Sequence, residues 1–498
     1  MAVGRAGRGL RRLALVLAVL VAACGPGPGP LPPEREPVAA SAAAEDAAAG
    51  TPGTATCRAP RIAPGDALGR AFLDGGALPM TCPVAPGPVL TVHDPEAALA
   101  LRLEALTGSP VPREALRRGD PDMPLDFSRA PELERIVISY LHMRADVSGR
   151  LVARALAHHA ARGTPVQILV SDRLMLPRER AFYDGLAALH PSVEVAYFSW
   201  SGQSVNVLVE GIDRAHRVNH VKIFATVARQ PGRSWVLVGG RNLHDGYFYD
   251  APPQPPEGSG VRAYGPTEAQ GLALFAIFDD FDVALRGDSA VRAIVAQFDA
   301  VWPGAPAPPL GPAPLVPGEM RHFLSAPWAD GRALERWMVD LFDAAEREIL
   351  IVTPFPYPPP ALEAAMLRAA GRGVEVRMLA RTVSTDSLGG VVTRLNRTWL
   401  ERNAGRYALW SYDPGWRNLH AKILVIDGRL GVVTSANLNW RSFLHDTENG
   451  VVFLDPGVAA RLVRQAERWI AVAERVPPGE GNGLGRTLLR LPWLLQYF

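Results

Sequence analysis

Two short clusters offer most of the chemistry in this 498-residue chain. His220-Val221-Lys222 is followed by Gly239-Gly240-Arg241-Asn242, and His420-Ala421-Lys422 by Ser435-Ala436-Asn437. A His and a Lys two apart on a strand point to one face, and an Asn on a neighbouring strand or turn reaches that face. The two sets together supply two imidazoles, two ammonium groups and two amides, a combination suited to a phosphodiester. One imidazole can attack phosphorus and the other protonate the leaving oxygen, while Lys and Asn hold the non-bridging oxygens.

A lone His-x-Lys is weak evidence, but here the flanks repeat as well. His420 leads into an apolar strand that turns at Asp427-Gly428 and returns to Ser435, a hairpin. His220 leads into the same hairpin with a longer loop, Arg229 to Arg233, and a return over Trp235 to Gly240. Upstream, Ile136–Tyr140 and Ile349–Thr353 read as buried strands. Each precedes an Ala-rich amphipathic stretch, Leu151–Gly163 or Ala361–Gly373, in which the final Gly suits a helix C-cap. A second strand follows each time, at Val166–Val170 and Val374–Leu379, so both halves carry a strand–helix–strand unit with parallel strands. Tyr197 and Tyr407 are 210 residues apart, as are Gly163 and Gly373, whereas His220 and His420 are 200 apart. Roughly ten extra residues therefore lie between Trp200 and His220, an excursion placed near the site mouth.

These residues resemble the phospholipase D superfamily, whose signature is HxKxxxxD followed by a small-residue pair and Asn, twice in one chain. The second half matches at His420, Lys422, Asp427, Ser435 and Asn437, with Glu448 as downstream acid. The first matches at His220, Lys222, Gly239, Gly240 and Asn242, but Val227 stands where the family has Asp, and Asp280 or Asp282 is its downstream acid. The run from Gly239 to Phe248 and Phe298-Asp299-Ala300-Val301-Trp302 look most like the cardiolipin-synthase branch. The resemblance covers roughly residues 97–473. It implies an α/β fold of two tandem domains packed about a pseudo-twofold axis, with mixed sheets flanked by helices. It implies metal-independent chemistry through a covalent phosphohistidine, with His220 as nucleophile and His420 as general acid, or the reverse. Lys222, Lys422, Asn242 and Asn437 would bind phosphoryl oxygens beside Gly239, Gly240 and Ser435. Glu448 and one of Asp280 or Asp282 would orient the imidazoles, and Asp427, as a motif position, is expected among the catalytic residues.

The N-terminus addresses location. Arg5, Arg8, Arg11 and Arg12 precede an apolar run over Leu13–Ala23 that reads as a signal peptide, and Val21-Ala22-Ala23-Cys24 resembles the lipobox of bacterial lipoproteins. Cys24 would then carry lipid. Residues 24–56, rich in Gly, Pro and Ala, read as a disordered tether. Of the three cysteines, Cys57 and Cys82 remain and are expected to pair as a disulfide. The expected organisation is a signal peptide (1–23), the tether (24–56), a first domain with an N-terminal extension (57–302), a Pro-rich linker (303–318), a second domain (319–475) and an apolar tail (476–498), which would dock or touch a membrane. No cysteine or histidine cluster has zinc spacing, so neither metal nor other cofactor is expected. A net charge of +2 with 20% charged residues provides no basic stripe of the kind nucleic-acid binding needs.

Other residues have duller readings. His142, His158 and His159 are read as packing or surface groups, and His244 and Asp245 as candidate pocket lining. Trp200, Trp410, Tyr412 and Trp416 would form either an apolar wall or ordinary core. Three functions compete: a phospholipid phosphatidyltransferase or phospholipase working as a membrane-anchored monomer, an exported phosphodiesterase or nuclease, and an anionic-lipid-binding protein without turnover. Two complete His/Lys/Asn sets in one chain favour the first.

Overall fold

The structure, a computed structural model, describes Cys57 and residues 60–172, 175–198, 216–261, 276–311, 315–382, 389–415, 417–491 and 495–496. The signal peptide, Cys24, the whole tether (24–56), Trp200, Trp416 and residues 201–215 of the excursion after Trp200 lie outside them. The described residues fall within one compact unit.

Two mixed sheets carry the architecture, with helices on their faces. Among the described residues the first has seven strands in the order Val89–Val92, Asp282–Arg286, Trp235–Gly239, Ile223–Ala228, Leu133–Tyr140, Val166–Ser171, Val193–Phe198. The second has eight: Glu474–Arg475, Ala408–Ser411, Glu375–Ala380, Glu348–Thr353, Ile423–Ile426, Leu430–Thr434, Glu448–Phe453, Met320–Ser325. Apart from the short strand Glu474–Arg475, one order is the other reversed, so the two halves are copies of one topology. In each, two parallel pairings join the strands linked by helices, and the central strand then pairs antiparallel with the His-x-Lys hairpin. The expected helices run over Val147–Ala160 and Pro360–Gly371, and Gly163 and Gly373 take φ of +79° and +89° just beyond them. Side chains buried between the halves, including Val137, Val227 and Val238 of one and Leu350, Val425 and Val433 of the other, form one continuous core.

Both His-x-Lys triplets lie just ahead of their strands, not within them, because strand pairing begins at Ile223 and Ile423. Each triplet pairs instead with the opposite half. The segment Arg417–Leu419 runs parallel to Ile277–Asp279, and the His420 N–H donates to the Asp279 carbonyl at 2.8 Å. Asn219 bridges Thr447 in the same sense, with the His220 N–H on the Thr447 carbonyl at 3.1 Å. The pseudo-twofold relation is therefore stitched by backbone at the place where the four motif cations and imidazoles emerge.

Asp427 corrects an expectation. Expected among the catalytic residues, it instead occupies the hairpin turn in the left-handed region (φ 55°), followed by Gly428 at 64°, the central pair of a turn closed by the Arg429 N–H on the Ile426 carbonyl at 2.9 Å. Its carboxylate accepts the backbone N–H groups of Glu346, Arg347 and Glu348 at 3.0, 2.7 and 2.9 Å. The group thus clamps the entry to the strand Glu348–Thr353. In the first half the strand continues through Val227 to Ala228, and Val227 is fully buried opposite Arg135. No turn occurs there, so no carboxylate is needed.

Residues 79–84, expected to extend the first domain, lie against the outer strand of the second. Thr81 N–H donates to the His322 carbonyl, and Val84 and Met320 exchange backbone hydrogen bonds. An open sheet edge takes up any extended segment that can satisfy its N–H and C=O groups. Cys57 and Cys82 are disulfide-bonded. The Pro-rich stretch is tied to the first half, with Gly311 N–H on Glu134 and Val316 N–H on Ser289, both at 2.9 Å. In the tail, the helix Gly483–Leu489 docks on the helix Gly389–Asn403, with Asn482 beside Thr398.

Replacing Asp427 with Ala leaves three backbone donors without their acceptor, at a cost of roughly 2–4 kcal/mol. Urea unfolding should show that loss, while any activity per folded molecule stays within about twofold. A large fall in specific activity at unchanged stability would return Asp427 to the catalytic set.

Candidate active site

Each imidazole is held by a carboxylate of the opposite half. His220 Nδ1 lies 3.0 and 2.9 Å from the two oxygens of Glu448, and His420 Nδ1 lies 2.7 Å from Asp280 Oδ2. The cross-pairing follows from the backbone stitching, since Thr447 and Asp279, which bond to the His N–H groups, immediately precede these acids. With Nδ1 engaged on both rings, Nε2 is the nitrogen left for chemistry. His220, Lys222, Asn242, Lys422, Asn437, Glu448 and Asp280 are all buried. Both His residues feel both lysines, and His420 also feels His220, so the two motif sets form one electrostatic site.

Burial governs the charges. It pushes both imidazoles well below their ordinary value, with the adjacent lysines adding to the effect. It lowers the Lys222 ammonium to about 8 and holds the Lys422 ammonium well below its ordinary value. It raises Asp280, and raises Glu448 to about 7. A cleft that disfavours its own charged forms gains most from a ligand bringing compensating charge, and a phosphate anion would restore the imidazolium and ammonium states. The amides are poised alike: Asn242 and Asn437 each have a buried Oδ1 without a partner among the described residues.

The remaining predicted residues act behind these groups. Asp282 does not reach an imidazole; it is buried against Arg102 and Arg241 at 2.9 and 3.2 Å. Gly239 and Gly240 admit the neighbouring acidic strand, because a Cβ on Gly240 would stand 2.2 Å from Asp280 Oδ1 and one on Gly239 2.2 Å from Asp282 Oδ1. Ser435, the counterpart of Gly240, donates its hydroxyl to Glu448. These three position carboxylates and do not offer a substrate surface. Asp245 accepts the N–H of Ser148 at 2.8 Å at a helix start. His159 bonds the Leu106 carbonyl and His158 stacks on Phe127. Tyr412 is buried in the core, its hydroxyl donating to Asp279, and Trp410 packs against that core between Arg377 and Arg475.

Sequence reading missed four contributors. Asp446 is buried near His220, its Oδ2 held by Arg441 at 2.9 Å and its Oδ1 without a partner. The alternation Asp446-Thr447-Glu448 was a signal, since residues two apart in extended chain share a face. Tyr247 OH takes the Asn242 amide N–H at 3.1 Å and lies 3.5 Å from His420 Nδ1. Asn449 clamps Lys222 from the other half, accepting its N–H at 2.8 Å. Ser442 holds the Asn437 N–H at 3.0 Å. His220, Asp446 and Glu448 place one ligand atom each within 4.8 Å of one another, a grouping that could hold a metal ion. His220 Nδ1 is already paired with Glu448, Glu448 Oε2 takes the Ser435 hydroxyl, and Asp446 Oδ2 takes Arg441.

The architecture and paired His-x-Lys sets describe a duplicated α/β protein with one composite site. Residues 338–470 match the sequence profile of the family described as cardiolipin synthase, PLD-like domain. Cardiolipin synthase A of Pseudomonas aeruginosa is 25% identical over 362 residues, 70% of this chain and 65% of that protein. The major cardiolipin synthase ClsA of Bacillus subtilis is 24% identical over 361 residues, 70% of this chain and 66% of its own. The chain thus spans about two thirds of the length of these relatives. The crystal structure of phosphatidylserine synthase from Haemophilus influenzae Rd KW20 shares the fold, with a TM-score of 0.58 at 14% identity over 87% of this chain and all of that one.

Glu448 provides a check on site electrostatics. Burial keeps its proton to about pH 7, whereas an ordinary glutamate loses it near 4.5. Folding therefore takes up a proton between those values. The associated stability is fully present below 4.5 and lost as pH rises to about 7. The urea midpoint of Glu448→Gln, relative to the unsubstituted protein, should move upward from pH 5 to pH 8; a difference independent of pH would contradict this.

Proposed function

We propose that the protein is a phosphatidyltransferase or phospholipase acting on a phospholipid phosphodiester through a covalent phosphohistidine. The observation that carries this reading is the crossed pairing of His220 with Glu448 and His420 with Asp280, which engages both Nδ1 atoms and leaves both Nε2 atoms for chemistry. His220 Nε2 attacks phosphorus and the bond to the leaving alcohol breaks, while the His420 imidazolium gives its proton to that oxygen. In the second step His420 takes the proton of the arriving water or alcohol. The new oxygen–phosphorus bond forms as the phosphorus–nitrogen bond breaks. Lys222, Lys422, Asn242 and Asn437 hold the phosphoryl oxygens, and Glu448 stabilises the phosphorylated, positively charged ring.

Likeness to cardiolipin synthases over most of the chain favours a lipid substrate above a nucleic acid, as does the near-neutral charge. We place the protein on the outer side of a membrane as a lipoprotein anchored at Cys24, an assignment resting on the sequence from Arg5 to Cys24. Among the described residues no helix is long and apolar enough to cross a membrane. Cys24→Ser should move the protein from the membrane to the soluble fraction; unchanged membrane retention would refute the anchor.

The decisive assay incubates the full chain in detergent with phosphatidylglycerol and follows products by mass spectrometry. Cardiolipin or phosphatidic acid is expected, and either His220→Ala or His420→Ala should lower its formation by roughly 10³-fold or more. Product formation surviving in either variant would rule out the two-histidine mechanism, and lipid bound without turnover would mark a binding protein.

A further inference from the structure

His142, read from sequence as a packing residue, stands two residues past the strand Leu133–Tyr140, near the end of the sheet where the two motif sets gather. Ligands of sheets with parallel strands collect at such carboxyl ends. Met143 bridges Leu243, and the Arg144 N–H donates to the Leu243 carbonyl at 2.9 Å, so this segment runs beside the residues that directly follow Asn242. The His142 ring stacks on His244, with centroids 5.0 Å apart and planes 23° apart. His244 Nδ1 accepts the Gly246 N–H at 3.2 Å, which leaves the proton of that neutral ring on Nε2. His244 meets Tyr247 edge-on at 4.6 Å, and Tyr247 meets His420 edge-on at 5.4 Å. A row of rings thus leads from His142 to His420.

One atom in this row has no structural task. His142 Nε2 is buried and without a hydrogen-bond partner among the described residues, a condition that native proteins rarely leave unused. Burial, reinforced by Arg144, Lys222 and His220, takes the ring down to about 3, so it is neutral at any working pH. A neutral imidazole is a poor phosphate clamp and no general acid. It is a good partner for a hydroxyl, which can donate to it or accept from it.

We infer that His142 receives the hydroxyl of an arriving small headgroup alcohol through Nε2, and so decides between alcohol and water as acceptor. The inference rests on the phosphohistidine reading above. His142 exchanges no proton: the acceptor's proton goes to His420, its oxygen bonds phosphorus, and the His220 nitrogen–phosphorus bond breaks. The contribution is the hydrogen bond that holds the alcohol oxygen in line. Water, with no second attachment in the cleft, depends on that bond least.

The test uses the full chain in detergent with phosphatidylglycerol and increasing deuterium-labelled glycerol, comparing label entering phosphatidylglycerol (transfer) with formation of phosphatidic acid (hydrolysis). His142→Phe keeps a stacking ring and removes the polar atom. The ratio of transfer to hydrolysis should fall about tenfold, the size of one lost hydrogen bond, while total headgroup release changes less than about threefold. His142→Gln should recover part of the ratio. An unchanged ratio in His142→Phe, or release falling in step with transfer, overturns the inference. Absence of turnover in the unsubstituted chain would instead defeat the phosphohistidine reading, and the subsite is then decided by calorimetry with glycerophosphoglycerol. Binding weakened about fivefold or more in His142→Phe supports it, and equal affinity overturns it.

Discussion

Everything in the site depends on keeping two imidazoles and two ammonium groups together out of water. Desolvation alone would strip them of charge, and four like groups in one cleft would repel. Lone carboxylates on the same strands would not solve the problem, because each motif strand is already paired along its length. The carboxylates come from across the interface, delivered by Thr447–Glu448 and Asp279–Asp280 along backbone hydrogen bonds to the two His residues. Neither half is therefore complete by itself: separating them would leave each imidazole beside its lysine without a counter-charge.

The two halves solve the same packing problem with different residues. Glu448 is one methylene longer than Asp280 and leaves room behind it for Ser435, whose hydroxyl holds the carboxylate. The shorter Asp280 needs its strand closer, and only Gly240 permits that approach. Gly with Asp and Ser with Glu are two matched pairs, and exchanging one member alone would produce either a collision or an unfilled gap. The duplication is thus conserved as geometry where it has drifted as sequence.

Most of this was legible in the chain. The 210-residue offset, the buried strand runs and the Asp427-Gly428 turn foretold both halves, since period and turn chemistry act locally. What escaped was long-range: which acid faces which histidine is a property of the interface, so the sequence left open which imidazole Glu448 serves. Asp427 was misassigned for a related reason. A motif position says that a carboxylate is required, but not whether substrate or backbone requires it, and here three N–H groups of residues 346–348 do. Val227 reinforces the point, because the first half lacks both the turn and the carboxylate.

The same asymmetry bears on the imidazoles. Two residues before Glu448 lies Asp446, and two before Asp280 lies Phe278, so equivalent positions present a carboxyl to His220 and an aromatic ring to His420. Phe278 stacks on Tyr247 at 4.4 Å and both rings meet His420 edge-on. Asp446, though itself pushed toward its neutral form by burial, favours positive charge on His220. A ring that becomes a phosphoimidazolium carries that charge through the lifetime of the intermediate, whereas a general acid gives its proton up early and needs only to recover it. Under the proposed mechanism, the carboxyl beside His220 favours assigning the longer-lived cation to that ring, and the neutral aromatic groups beside His420 favour assigning it the proton shuttle.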